Sequence, residues 1–425
     1  MITIQGSNLA SLVCAVELVR SGFDIRIQCL KGQKIGGHFY GLQINESMID
    51  LGMVLLEPRF SDQKIDVSKY NGQTGSFLNP FNHTVFEWLS HLEVEMEKVQ
   101  VESWYRGKSY KDVLISDCLQ VLNVIDFDKG EIEEGSLGTI FELHGLHPRM
   151  KHHELFAGVD LAEMLPKIYG ESVASFFLAI ARKVGGPDAT QLLARYHRIL
   201  WLPLYFPETI LNFFESGIEE LKELEFWSPR NGGVSGMLTY FRSFLLDRGM
   251  IEKQTPQTFT IEPRELRRQK NLEIVFRDIR EPSGTMRKTI RLGLVVYEKT
   301  NSYVKKVTHN VDPMYKWFRL SQSLSASSAV VVELGYVAEN EKDSELICAA
   351  EQALKHLSIK AQSPPLVFRT EFSFPVGITV KDNMKNQNSP ILNEYVTDLE
   401  TRSFNNQVLL GLRAANDIKQ FGATL

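Results

Sequence analysis

Ile2-Thr3-Ile4-Gln5-Gly6-Ser7-Asn8-Leu9-Ala10-Ser11, continued through Ile25-Arg26-Ile27-Gln28-Cys29 to Gly36-Gly37, is the stretch that decides the fold. A short apolar strand runs straight into a small-residue turn at Gly6. The segment Leu9 to Ser21 then places Leu12, Val13, Val16, Leu18 and Val19 mostly on one face of a helix, and Gly22 ends it. A second alternating strand follows with Ile25 and Ile27. In this order the first strand aims the N-terminus of the helix, with its unpaired amides and positive dipole end, at an anionic group such as a pyrophosphate.

The dinucleotide fingerprint is G-x-G-x-x-G with an acidic residue about twenty positions on. Here its glycine positions read Gly6, Asn8 and Ser11, and the acidic position reads Cys29. Gly6 keeps the tight turn. Asn8 tolerates unusual dihedrals but brings a side chain to the place where backbone should meet phosphate. Ser11 is small enough for close packing of helix on strand. Cys29 lacks the two acceptor oxygens that a carboxylate offers to ribose.

Outward from this unit, the composition bounds the class. The chain has 425 residues, 43% hydrophobic and 23% charged, enough for a large core and two interleaved domains. A formal charge of −5 argues against a general nucleic-acid binder, and the basic cluster Arg264 to Arg268 reads as solvated surface. Cys14, Cys29, Cys118 and Cys348 are scattered without C-x-x-C spacing, so neither a disulfide framework nor a metal site is expected. The first residues enter a strand at once, without a basic region or apolar signal core, and no apolar run reaches the roughly 18 residues of a membrane span. A cytoplasmic protein is the expectation.

Further along, Phe39 to Asn45 alternates like a strand, and Met48 to Gly52 is a second extended piece. Residues 82–125 read as mainly helical, with short strands near Val99 and Tyr110 as a second reading. Asp160 to Val184 is helical, in two pieces if Tyr169-Gly170 breaks it; Gly185-Gly186-Pro187 stops it and Asp188 opens another helix. From Thr258 the pattern turns to strands at Phe259, Ile261, Leu272–Val275, Ile290–Tyr297, Phe318–Leu320 and Val330–Val337. A helix over Asp343–Leu357, capped by Asp343 or Ser344, and a strand over Val367–Val380 follow. The chain closes with a strand Gln407–Gly411 and a helix Arg413–Gln420.

These pieces resemble the flavin-dependent amine oxidoreductase superfamily, which includes monoamine oxidases, protoporphyrinogen oxidase, phytoene desaturases and UDP-galactopyranose mutase. The resemblance rests on four places. They are the opening unit; Ile35-Gly36-Gly37-His38, where the family has Gly-Gly-Arg; Met48-Ile49-Asp50-Leu51-Gly52; and Trp227 to Leu238, with Pro229, Gly232 and Gly233 leading into a helix. The resemblance implies an α/β fold: a Rossmann-like FAD-binding domain of the glutathione-reductase type with an inserted α+β substrate domain. The division it implies is 1–75, 226–300 and 385–425 for the first, and 76–225 and 301–384 for the second, helical first and stranded later. It also implies FAD as cofactor, held by Gly6, Ser7, Asn8, Leu9, Ser11, Lys31, Gly36, Gly37 and His38, and at the chain end by Gly411, Leu412 and Arg413. In that last place Leu412 stands where the family carries Asp.

The implied activity is an FAD-dependent oxidoreductase acting on a small-molecule substrate between the two domains, with no general base anchored by a motif. Arg195, Tyr196, His197, Arg198, Trp201 and Tyr205 form an aromatic and basic cluster. Arg195, Arg198, Trp201 and Tyr205 are the candidate substrate clamp, and the polar face of an amphipathic helix explains the cluster equally. That cluster suggests a mutase-like sugar-nucleotide enzyme as the second reading. The third is a non-catalytic scaffold that lost the flavin and works through a protein partner. His144, His147, His152 and His153 fit no metal spacing, because Pro148 breaks any helix that would align them. Cys29 reads either as a redox thiol or as the filled end of a buried strand. Phe372, Phe374 and Pro375 read as flavin neighbours or as core.

Overall fold

In a computed structural model the described residues are 2–30, 36–45, 47–51, 55–56, 67, 82–111, 159–193, 226–255, 272–278, 285–325, 328–378, 394–397 and 404–422. Their elements, in chain order, are β1 (Ile2–Gln5), α1 (Leu9–Arg20), β2 (Ile25–Leu30), a 3₁₀ turn Gly37–Phe39, β3 (Leu42–Ile44) and β4 (Ser47–Ile49). Then come α2 (Asn82–His91), β5 (Met96–Tyr105), β6 (Lys108–Lys111), α3 (Leu161–Gly185), a 3₁₀ turn Pro187–Gln191, β7 (Phe226–Pro229), α4 (Gly233–Asp247), β8 (Ile251–Thr255) and β9 (Leu272–Asp278). The rest are β10 (Thr285–Tyr297), β11 (Lys306–Asn310), β12 (Trp317–Gln322), β13 (Val330–Tyr336), α5 (Asp343–His356), β14 (Leu366–Ile378), β15 (Glu394–Thr397) and α6 (Phe404–Gly422). Two compact units result, one of Met1–Glu97, Trp227–Glu281 and Asp382–Leu425, the other of Lys98–Phe226 and Pro282–Lys381. Residues 282–300, placed by the sequence division with the first unit, belong to the second, because β10 pairs along its length with β13 and β14.

The first unit is built on five parallel strands in the order β15-β9-β1-β2-β8. All four residues of β1 are buried, as in a strand covered on both faces, although apolar and polar residues alternate along Ile2-Thr3-Ile4-Gln5. The helix between β1 and β2, α1, is buried from Leu9 through Val16 and again at Leu18. It packs against α4 and α6, and α2 packs against α6. Ile4, Ile27 and Ile274 from three neighbouring strands share one core with Leu12, Val13, Leu238, Phe241 and Val408 from the helices.

The second unit carries the strand path β14-β10-β13-β12-β11-β5-β6, antiparallel at every step except β11 beside β5. Alternation sorts its two faces. Trp104, Trp317, Leu320, Val332 and Leu334 form a core with Leu346, Ala350, Ala353 and Leu354 of α5. The intervening residues Ser103, His309, Arg319 and Glu333 stand side by side in register across four strands. Within that row Arg319 Nε donates to Glu333 Oε1 at 2.6 Å, and both side chains are buried. Burial pushes the His309 pKa well down, with the charges of Arg319 and Lys183 adding to it. Lys183, on α3, is also held low by burial, and its Nζ donates to the Asn310 and Asp312 carbonyls at 2.6 and 2.8 Å.

Several expectations change. The helix that begins at Asn82 stops at His91, β5 and β6 follow, as in the second reading of that stretch, and residues 112–125 lie outside the described residues. α3 is one helix from Leu161 to Gly185 despite Pro166 and Gly170, because Leu161, Leu165, Ala174, Phe177 and Ala181 bury a continuous side. That packing outweighs the ~1 kcal/mol cost of an interior glycine. Asp188 enters only the 3₁₀ turn, and α5 is capped at Lys342, whose amide Glu345 accepts at 2.8 Å. The largest change is at the end of the chain. Gln407–Gly411 is not a strand; it belongs to α6, whose first two turns are buried all round, so Val408, Leu409 and Leu410 run consecutively apolar and show no helical period. Phe259 and Ile261 lie outside the described residues, as do Cys118, Arg264–Arg268 and the histidines at 144, 147, 152 and 153.

Candidate functional site

The opening turn sits between the end of β1 and the start of α1. Gly6 has φ +145°, and a Cβ there would stand 2.9 Å from Phe276 Cβ on β9. Close strand packing therefore demands this glycine whatever the turn binds. Ser7, Asn8, Leu9 and Ser11 are all buried. Asn8 is the N-cap of α1: its Oδ1 accepts the Ser11 amide at 2.9 Å, and Ser11 Oγ donates back to the Asn8 carbonyl at 2.7 Å. The chain returns to this turn at Gly36, whose amide donates to the Ser7 carbonyl at 2.8 Å. Gly36 and Gly37 both have left-handed φ, and a Cβ on Gly37 would lie 3.3 Å from Asn8 Cα.

The first amide of α1 has a partner that no sequence signal announced. Leu9 N donates to Gln407 Oε1 at 3.0 Å across 398 residues. Gln407 is 1% exposed and sits in the first turn of α6. One turn later Gly411 lets the two helices meet: a Cβ there would be 2.5 Å from the Ala10 carbonyl oxygen and 2.7 Å from Val13 Cβ. Gly411, Leu412 and Arg413 thus lie inside α6. Leu412 is packed beside the core with Trp88, Asn416 and Lys419 around it, and Arg413 is within 3.7 Å of Asp417. Asn405, also in the first turn of α6, is fully buried, and neither of its side-chain polar atoms has a partner among the described residues.

A second glycine-led helix entry lies in the same unit. Gly232 and Gly233 take left-handed φ and α4 starts there. Its first amides are met by Asp50, 2% exposed, just after β4. Asp50 Oδ2 accepts Val234 N at 2.9 Å and Oδ1 accepts Ser235 N at 2.9 Å, while Ser235 Oγ donates to Oδ1 as well. Ser235 Oγ in turn accepts the Gly41 amide at 2.8 Å. Two of the four sequence places, Asp50 and Gly232-Gly233, are therefore one capping device.

Cys29 is fully buried near the end of β2, with Sγ 3.7 Å from the Gly6 carbonyl oxygen, in the strand-filling position. Cys14 is buried in α1, and burial pushes its thiol pKa up. At the far end of α1, burial alone would raise the Glu17 pKa. Hydrogen bonds from Trp88 Nε1 at 2.8 Å and Lys419 Nζ at 3.1 Å, with the Arg20 charge, outweigh it and hold the carboxyl below its ordinary range. Phe374 is buried in the second unit. Lys31, Gly52, Arg195, Arg198, Trp201 and Tyr205 lie outside the described residues, and so do the side chains of His38, Phe372 and Pro375. Among the described residues no group of His, Cys, Asp and Glu could hold a metal ion, and no helix is long and apolar enough to cross a membrane.

No family model matches the chain. No curated protein matches it in sequence. Solved structures do match the fold over nearly the whole chain. Reduced UDP-galactopyranose mutase is 12% identical with a TM-score of 0.58, covering 100% of this chain and 94% of its own. Cyclohexylamine oxidase from Brevibacterium oxydans is 11% identical with a TM-score of 0.55, covering 99% of each chain. A double mutant of putrescine oxidase is 10% identical with a TM-score of 0.54, covering 99% and 98%. The chain shares the mixed α/β fold of these proteins.

Proposed function

We propose that this protein is an FAD-dependent oxidoreductase of the amine-oxidase type, acting on a small organic substrate, with the first unit as a Rossmann-like FAD-binding domain. One observation carries the reading. The N-terminus of α1 opens where β1 ends, at the centre of a five-stranded parallel sheet, and its first turn contains no acid of its own. Ligands of open α/β sheets bind at such strand ends, and phosphate binds at such helix starts.

The local residues fit a dinucleotide in two respects. The left-handed backbone at Gly36 and Gly37 runs beside Asn8, where a Cβ on Gly37 would crowd the turn. Asn405 offers a fully buried donor and acceptor without partners among the described residues, and buried polar groups of that kind are normally satisfied by something. The backbone of Ser7–Ser11 and Gly36–Gly37 would hold the pyrophosphate, and Asn405 would meet a polar atom of the cofactor. FAD supplies the hydride and electron chemistry when bound; the chain contributes position and electrostatics.

Absorbance of the purified protein tests the reading directly. The expected result is a flavin spectrum, present on isolation or gained by incubation with FAD and retained after gel filtration. A folded protein that stays colourless after that incubation overturns it. One observation favours the non-catalytic reading instead: the Leu9 and Ser11 amides are already occupied by Gln407 and Asn8. Colourless protein would be the result that reading expects.

A further inference from the structure

We infer that a cleft on the first unit, where α1, α2 and α6 meet, binds a small organic monocarboxylate with an apolar body. The cleft has a volume of 380 Å³, inside the roughly 300–1,000 Å³ range of small-molecule sites. α1 gives it Glu17 and Arg20, α2 gives Trp88, and α6 gives Leu412 and Lys419, two turns apart on one face. It lies at the far end of α1 from Asn8 and uses none of the residues of the proposed cofactor turn. Neither reading depends on the other.

The floor of the cleft is a carboxylate with more cations than it needs. Glu17 Oε1 accepts Arg20 Nη1 at 2.9 Å and Trp88 Nε1 at 2.8 Å, and Oε2 accepts Lys419 Nζ at 3.1 Å. Among the described residues, the side chains of Arg20 and Lys419 bond to Glu17 alone. A guanidinium has five N–H donors and an ammonium three, so most of their donors are unused. Both are within reach of solvent, Arg20 at 35% and Lys419 at 34% side-chain exposure. Their shared bond to Glu17 holds the two charges together before any ligand arrives, which lowers the ordering cost of binding.

Charge sets the valence of the ligand. Arg20 and Lys419 bring two positive charges against the one negative charge of Glu17, and Glu87 on α2, the other acid of the lining, opposes any second negative charge. A monoanion fits this balance; a dianionic phosphate does not. The carboxylate would take the paired N–H bonds that a guanidinium favours, with Lys419 beside it. Leu412 and the Trp88 indole offer apolar surface to the rest of the ligand.

Titration of the full chain, followed at the NMR signal of the Trp88 indole N–H, tests the site where it stands; Trp88→Phe identifies that signal. 3-Phenylpropanoate should shift it saturably. 3-Phenylpropanamide, the same shape without the charge, should not, and phenyl phosphate should bind more weakly than the carboxylate. Two substitutions then move the affinity in opposite directions. Lys419→Met removes one cation and should weaken 3-phenylpropanoate about fivefold, the value of one partly solvated ion pair. Glu17→Gln removes the anion that competes for both cations and should tighten it by about the same factor. Arg20→Gln should follow Lys419→Met and serves if that variant does not fold. An ion-pair cluster with a structural role alone gives no gain in Glu17→Gln. No shift from the carboxylate, an equal shift from the amide, or Glu17→Gln binding no tighter than the wild type overturns the site. A stronger response to phenyl phosphate overturns the monocarboxylate as its ligand. Colourless protein that binds 3-phenylpropanoate removes the flavin reading and leaves the cleft; yellow protein that does not bind it leaves the flavin and removes the cleft.

Discussion

Two helices of the first unit begin at glycine turns and are capped in opposite ways. α4 receives a buried carboxylate, Asp50, which accepts two backbone amides and one hydroxyl. α1 receives only neutral oxygens, from Asn8 within the turn and from Gln407 across the helix interface. Charge-assisted hydrogen bonds are about twice as strong as neutral ones. The first entry is therefore capped by a carboxylate, while the caps of the second, Asn8 and Gln407, are neutral oxygens. Glycine turns lead into both helices, and the group that caps each one differs in charge.

The contrast is easiest to break at its strong end. Asp50→Ala should lower the stability of the full chain by about 3 kcal/mol, since it strands two buried amides and a hydroxyl that had a charged acceptor. Urea unfolding measures this, and a loss below about 1 kcal/mol would show that α4 is no more firmly capped than α1. Gly411→Ala comes next. Its methyl would press on the Ala10 carbonyl and Val13, and overpacking of this kind costs about 1–3 kcal/mol. The same variant should pull Gln407 away from Leu9, which faster hydrogen exchange at the Leu9 amide would report.

Glu17, at the opposite end of α1, sharpens the comparison through pH. Its folded pKa lies below the unfolded value. Its stabilisation is therefore fully present above the ordinary carboxylate pKa and is lost as pH falls through the lowered folded value. Partly solvated ion pairs contribute under about 1 kcal/mol, so Glu17→Gln should remove a small part of the acid-side slope and leave neutral stability slightly reduced. An unchanged slope would show that the Trp88 and Lys419 contacts carry no net charge term. The smallest effect belongs to Asn8→Gly, a few tenths of a kcal/mol, because glycine is itself an acceptable N-cap. A loss above about 1 kcal/mol in thermal or urea unfolding would show that the Asn8 side chain contributes more than an ordinary N-cap that glycine can replace.

Legibility followed the range of the interactions. The β1-α1-β2 order, the start of α4 after Gly232-Gly233 and the helix ending at Gly185-Gly186 were all readable, because their signals lie within a few residues. The strand read at Gln407–Gly411 became the second turn of a helix, since total burial of Val408, Leu409 and Leu410 erases periodicity. β11 was missed for a related reason. Thr308, His309 and Asn310 are polar yet buried in the sheet, where neighbouring strands and α3 engage their backbone and side chains. Leu412, read as a lost cofactor handle, lies two turns inside α6, so the missing acid there and the first turn of α6 are separate matters.

The sequence by itself determined the parallel β-α-β opening and the positions of the glycine turns, because propensity and turn chemistry are local, while the N-cap role of Asn8 came only with the structure. Tertiary structure alone decided which oxygen meets which amide. Leu9 and Gln407 are 398 residues apart, and Asp50 and Val234 are 184 apart. A hydrogen bond of about 3 Å asks only that two atoms arrive at the same place, and nothing in periodicity or composition records that arrival. The fold brings a neutral amide to one helix start and a carboxylate to the other, and a difference in charge at two glycine-led turns is the result.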